Sequence, residues 1–167
     1  MFKLRKLMMS DAPLMLEWMH DKTVVEHMAT DFASMTLANC ENFINNSMSD
    51  DKNLNLAVVG EDNRYLGTVS LKHINNDKKT AEFAITMRAS AMGTGASVSG
   101  MSDVIRYGFE QLKLEEIYWC VSKKNERAIK FYNKRYSLTK EVPSHIANNY
   151  TKEQLDDFLW YSISKNM

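Results

Sequence analysis

The chain has 167 residues, 44% of them apolar, and its 21 basic and 21 acidic side chains balance to a formal net charge of zero. That length points to one domain over residues 1–167, able to bury roughly 70% of its unfolded surface without help from disulfides or a metal, and the charge balance argues against a nucleic-acid or membrane-surface partner. No run approaches the ~20 apolar residues of a membrane span, the start MFKLRK lacks a signal-peptide core, and Cys40 and Cys120 form no paired or metal-ligand pattern, so a soluble cytoplasmic protein with no metal site is expected.

Phe2–Leu7 alternates apolar and basic residues and reads as a first strand. Ser10-Asp11-Ala12-Pro13 opens a helix, with Ser10 as cap and Leu14, Trp18 and Met19 on its apolar face. Val24–Met28 suits a further helical turn. Thr36–Met48 suits a helix with Leu37, Cys40, Phe43 and Ile44 on one side. Leu54–Val59, Tyr65–Ile74 and Thr80–Arg88 are strands separated by the turns 60–63 and 75–78. Their connections are too short for crossovers, so they form an antiparallel meander.

Gly93 and Gly95 follow, and then Val98, Met101, Val104, Ile105, Phe109 and Leu112 recur at helical spacing. The next strand, Ile117–Val121, should run parallel to the one at Ala81, because a helix of crossover length joins them. Asn125 can cap a helix over Glu126–Lys134, on which Ala128, Ile129 and Tyr132 share a face with Phe131 beside them. Tyr136–Val142 is a further strand, Pro143 and Asn148-Asn149 mark a long excursion, and Phe158–Ile163 is a final strand. The fold class is a mixed α/β sheet: an antiparallel meander, then a parallel strand pair, with flanking helices.

A strand, a glycine turn and a helix start make a setting for an anion. The first N–H groups of a helix have no internal partner and the dipole is positive there. Three readings of the turn compete. The dinucleotide fingerprint lacks its third glycine in Gly93-Thr94-Gly95-Ala96-Ser97-Val98 and follows a meander. A P-loop reading of Gly95–Ser102 puts Met101 where the lysine belongs. The third reading is a tight turn with no ligand.

The surrounding residues extend the pattern. Glu82 ends the meander's apolar run, Arg88 and Gly93-Thr94-Gly95-Ala96 form the loop, and Tyr118-Trp119-Cys120-Val121 leads to Asn125-Glu126-Arg127-Ala128-Ile129-Lys130-Phe131-Tyr132-Asn133-Lys134. This combination resembles the GCN5-related N-acetyltransferases. Their loop is close to Gln/Arg-x-x-Gly-x-Gly/Ala, and their second signature is close to Asn-x-x-Ala-x-x-x-Tyr-x-Lys. The opening, Leu4-Arg5-Lys6-Leu7 with Ser10-Asp11-Ala12 and Trp18, resembles the branch of ribosomal-protein alanine and amino-sugar acetyltransferases. Two positions depart: Ser90 stands at the Gln/Arg position, and Lys134-Arg135-Tyr136-Ser137 lacks the usual glycine after the tyrosine. The second departure predicts a shifted turn after that helix.

The resemblance implies acetyl-coenzyme A as acyl donor and a primary amine as acceptor: a protein N-terminus, an amino sugar or a small polyamine. It implies a pyrophosphate site on Gly93, Thr94, Gly95, Ala96 and Ser97, with Arg88 nearby. The pantetheine arm would lie along Ile85 and Met87, and Asn125, Ala128, Phe131 and Lys134 would border it. Tyr132 would donate to the departing thiolate. A tyrosine near pKa 10 and a thiol near 8.5 differ by ~1.5 units, so full transfer is uphill by roughly 2 kcal/mol and a hydrogen bond suffices. Glu82 is the candidate base, with His73 second. A homodimer is common in that family. The alternative is a coenzyme A-binding module without catalysis, which the two departures keep open.

Overall fold

The computed structural model describes residues 1–166. The strands are β1 (Lys3–Lys6), β2 (Leu54–Val59), β3 (Tyr65–Asn75), β4 (Thr80–Met87), β5 (Glu116–Ser122), β6 (Ser137–Leu138) and β7 (Phe158–Ser164). The helices are α1 (Ala12–Met19), α2 (Lys22–Val25), α3 (Leu37–Ser47), α4 (Ala96–Glu110), α5 (Glu126–Asn133), α6 (Ser144–Ala147) and α7 (Lys152–Asp157). The seven strands form one sheet in the order β1-β2-β3-β4-β5-β7-β6. Every pairing is antiparallel except β4 with β5, as the crossover through α4 requires.

Side chains alternate across the sheet and fill a different core on each face. On one face Val69, Leu71, Ala81, Phe83, Ile117 and Trp119 pack with Met101, Val104 and Ile105 of α4 and Tyr132 of α5. On the other, Ala57, Val59 and Tyr65 pack against Met15, Trp18 and Met19 of α1 and Cys40 and Ile44 of α3. A third cluster joins Tyr118 and Trp160 to Ile146 of α6. Helix α4 lies close on the sheet because residue 100 is glycine: a Cβ there would stand 2.7 Å from Val58 Cγ2.

Several local expectations are corrected. Ser10 does not cap α1. A short 3-10 turn over Met9–Asp11 comes first, and Asp11 holds it by accepting from the Met8 N–H at 2.8 Å and pairing with Arg5 at 2.8 and 2.9 Å. The helical turn expected at Val24–Met28 begins earlier, at Lys22, because Asp21 caps it. Along α3 only Cys40 and Ile44 are buried, and Leu37 and Phe43 are exposed. The strand expected over Tyr136–Val142 shrinks to Ser137–Leu138, and the excursion after it folds into α6 and α7. The missing glycine after Tyr132 is accommodated without positive φ. The N–H groups of Arg135 and Tyr136 both donate to the Tyr132 carbonyl, at 2.9 and 2.8 Å, and the Tyr136 ring sits edge-on to Trp119 at 4.9 Å.

Candidate active site

Strands β4 and β5 pair over three residues only: Thr80 with Glu116, Ala81 with Ile117 and Glu82 with Tyr118. Beyond Glu82 the two strands run on unpaired to Met87 and Ser122. The orientation of the freed backbone follows from the pairing on the far side of β4. The Arg88 N–H donates to the Leu66 carbonyl at 2.8 Å, and bonded positions alternate along an antiparallel ladder. Thr86, Ala84 and Glu82 therefore bond to β3, the Phe83 N–H completes the last β5 bridge at Tyr118, and Ile85 and Met87 turn their N–H and C=O groups toward the gap. Such groups require partners, and an extended ligand carrying amides can supply them as an added strand would.

At the end of the gap the chain turns into α4. Gly93 and Gly95 have φ of 78° and 92°, values that favour glycine. A Cβ on Gly93 would meet nothing within 4 Å, and one on Gly95 only Phe2 Cε2 at 3.8 Å. Among the described residues the N–H groups of Gly93, Gly95, Ser97 and Val98 have no protein acceptor. The Ala96 N–H is taken by the Thr94 hydroxyl at 3.3 Å, and that hydroxyl donates to the Ala91 carbonyl at 2.5 Å. The cradle is thus four open donors over open space at a helix N-terminus, with Thr94 and Ala96 holding its shape.

Arg88 stands elsewhere. Its guanidinium grips Glu17 of α1 at 2.7 and 3.0 Å and donates to the Tyr65 carbonyl at 3.2 Å, 8% exposed. Three of its five N–H donors are taken in this way, and they tie α1 to the start of the loop. The cation beside the loop is Arg127 of α5, whose Nη1 reaches Met92 Sδ at 3.5 Å. Asn125 caps α5 by accepting from the Ala128 N–H at 3.2 Å, which leaves its amide NH₂ free. Ala128 and Phe131 are half-buried on the α4 side of the sheet, and exposed Lys134 ends α5 about 10 Å further along the helix than Arg127.

Tyr132 is buried among Trp119, Phe131 and Tyr161, with ring centroids 5.6, 5.3 and 5.2 Å away. Its hydroxyl has no hydrogen-bond partner among the described residues. Burial, with Tyr136, Cys120 and Tyr161 adding to it, pushes the phenol above its ordinary pKa, so it stays a donor. The neighbouring Trp119 indole N–H is buried and, among the described residues, unpartnered.

On the opposite face lies Glu82, 1% exposed. Its Oε1 is 3.1 Å from His73 Nδ1, and its Oε2 accepts from the Tyr150 hydroxyl. Lys72 Nζ is 3.7 Å from Oε2 and the Cys120 thiol 3.9 Å. A buried carboxylate is tolerated only when paired and bonded, and this one is both. Burial and then the Glu82 charge push the Cys120 thiol up to about 12, and the same two causes raise the Tyr150 phenol. Lys72, Tyr150 and Arg127 are additions that no local pattern in the sequence signalled. Tyr150 arrives from a loop 68 residues away.

A model of the acetyltransferase (GNAT) domain matches residues 2–135. The chain belongs to the GNAT family. A spermidine N(1)-acetyltransferase of Escherichia coli K12 is 36% identical over 77 residues, which span 46% of this chain and 41% of that protein. The acetyltransferase PseH of Campylobacter jejuni is 28% identical over 79 residues, 47% of this chain and 48% of that protein. The chain thus aligns with less than half the length of these curated relatives. In fold it is similar to the spermidine N-acetyltransferase of Vibrio cholerae solved with CoA and spermine, with a TM-score of 0.81 at 19% identity over 99% of this chain and 96% of that one. GNAT acetyltransferases take the acetyl group from acetyl-coenzyme A, and the GNAT domain here fits that donor: open N–H groups, free space at Gly93 and unpaired strand backbone meet in one place.

Proposed function

We propose that the chain is an acetyl-coenzyme A-dependent N-acetyltransferase acting on a small primary amine. The observation that carries this is the junction of the β4–β5 gap with the open N–H cradle, flanked by a buried phenol on one face and a buried carboxylate on the other. Spermidine is the first acceptor to try, because spermidine acetyltransferases are among the relatives.

Acetyl-coenzyme A supplies a thioester carbonyl open to direct attack by an amine. The protein's work is then to position the amine, free it of its proton and donate to the departing sulfur. Backbone N–H groups of Gly93, Gly95, Ser97 and Val98 hold the pyrophosphate, with Arg127 adding charge. The backbone of Ile85 and Met87 holds the pantetheine amides, and Asn125 offers its free amide. Holding both reactants in place supplies the largest share of the acceleration. An alkyl amine near pKa 10.4 is almost wholly protonated at neutral pH, so it needs a base. Glu82 takes that proton through a bridging water, since its own surface is closed off. Tyr132 donates a hydrogen bond to the sulfur.

Incubation with acetyl-coenzyme A, a panel of amines including spermidine, and a thiol reagent tests the reading. Thiol release that depends on one of the amines is expected. Tight binding with no release by any amine would leave a coenzyme A-binding module.

A further inference from the structure

One residue in the middle of the sheet breaks the strand conformation. His73 has φ of 53° inside β3, where the ladder slips between Lys72 and Asn75. A non-glycine residue held in that region costs of order 1–3 kcal/mol and persists where the surroundings enforce it. Here the Asn53 side chain does so by accepting the His73 backbone N–H at 3.1 Å. The result is that the imidazole turns onto the buried carboxylate, with Nδ1 3.1 Å from Glu82 Oε1. The ring has a second side. It is 31% exposed and lines a surface cleft of about 500 Å³ with Lys52, Asn75, Asp77, His145 and Asn149.

The direction of this arrangement matters. β4 runs from Thr80, bonded to His145 Nε2 at 2.7 Å beside the cleft, to Met87 beside the cofactor cradle. Glu82 sits where the gap closes. The cleft lies on the opposite side of Glu82 from the cradle, so a ligand filling the gap leaves it open. The other groups around Glu82 are donors to it and offer no acceptor for its proton: a lysine ammonium has no lone pair, and the Tyr150 hydroxyl already donates. Lys72 and Tyr150 hold it from β3 and from the α6–α7 loop, and Cys120 from β5 keeps its own proton because burial raises its pKa.

Resting on the acetyltransferase reading, we propose that His73 is a proton-relay residue that carries the acceptor's surplus proton from Glu82 to solvent through the cleft. The stoichiometry requires such an exit. An ammonium acceptor carries two protons more than the final amide nitrogen needs. One ends on the coenzyme thiol, and the other must leave the site. Glu82 takes it from the ammonium, a carboxylate becoming a carboxylic acid. The acid passes a proton to His73 Nδ1 when the ring is in its Nε2–H tautomer, and the imidazolium releases its Nε2 proton into the cleft. The ring then regains the starting tautomer by exchange with water. No bond other than N–H and O–H is made or broken.

The variant to test is His73→Asn. Asparagine accepts left-handed backbone better than most residues, so the strand break is kept while the relay is lost. With spermidine, or whichever amine the wild type acetylates, turnover should fall about tenfold or more while KM for acetyl-coenzyme A stays put. Added free imidazole should restore it, an effect a purely structural role would not produce. Wild-type turnover in His73→Asn, or a loss that imidazole leaves untouched, overturns the relay alone. A wild-type protein that acetylates no amine overturns the acetyltransferase reading with it. A second measurement needs no turnover. In the free protein the His73 Nδ1 resonance, followed by NMR, should move in Glu82→Gln, because the partner 3.1 Å away changes from a carboxylate to an amide. An unmoved resonance counts against the pairing.

Discussion

The two ends of β4 are finished in opposite ways. At the Met87 end four backbone N–H groups have no acceptor among the described residues, and the shape is set by residues within one short stretch of chain. At the Thr80 end a carboxylate is closed in by His73, Tyr150, Lys72 and Cys120, drawn from three separate places in the sequence. The difference suits what each end is proposed to handle. A phosphate brings its own charge and acceptors, so its seat must keep donors free. A proton brings nothing, so the group that takes it must be held and hydrogen-bonded beforehand or it would not stay buried and charged.

Filling the open end should have the largest effect. Gly95→Val puts a branched side chain at φ of 92° and over the cradle. Binding of acetyl-coenzyme A, measured by calorimetry on protein shown folded by circular dichroism, should weaken more than about a hundredfold, since several charge-assisted hydrogen bonds are lost at once. Tight binding by the folded variant would remove the cradle assignment. Tyr132→Phe should come next. It deletes one donor, so turnover should fall by about a hundredfold with coenzyme affinity unchanged. Equal turnover in the two proteins would take the phenol out of the chemistry.

The contrast also explains what could be read in advance. The meander, the loop glycines and the crossover helix are local patterns, and residues 54–110 carry them in order. The placement of Asn125 and Tyr132 on one short helix was legible from their fixed spacing. Glu82 stood out as a carboxylate in an apolar strand, but its environment did not: β3 breaks at His73, and Tyr150 closes over it from a loop with no periodicity. The environment of Arg88 was hidden for the same reason. Its partner Glu17 lies 71 residues away, and nothing near Arg88 shows that its charge is taken. The strand expected after Tyr136 stops at Leu138, and the chain from Val142 on turns to pack Ile146, Tyr150 and Leu155 with Tyr118 and Trp160, a long-range contact that no local pattern shows.

Arg88 supplies the smallest and most discriminating effect. If it serves α1 and not the phosphate, Glu17→Gln should touch stability and leave coenzyme affinity alone. The pair is half open, with the Glu17 side chain 47% exposed, so the expected loss in urea unfolding at pH 7 is only about 1 kcal/mol after allowing for solvent screening. The sign is set by the hydrogen bond from Arg88, which holds the Glu17 carboxyl below its usual range. A depressed carboxyl stabilises the fold above the free glutamate value near 4.3, and that share fades as pH falls through the lower folded value. The gap between wild type and Glu17→Gln should therefore close in acid. A gap that persists there would mean the side chain acts by packing. Weakened coenzyme binding at neutral pH would mean that Arg88, once released, had been reaching the cradle through the turn it anchors.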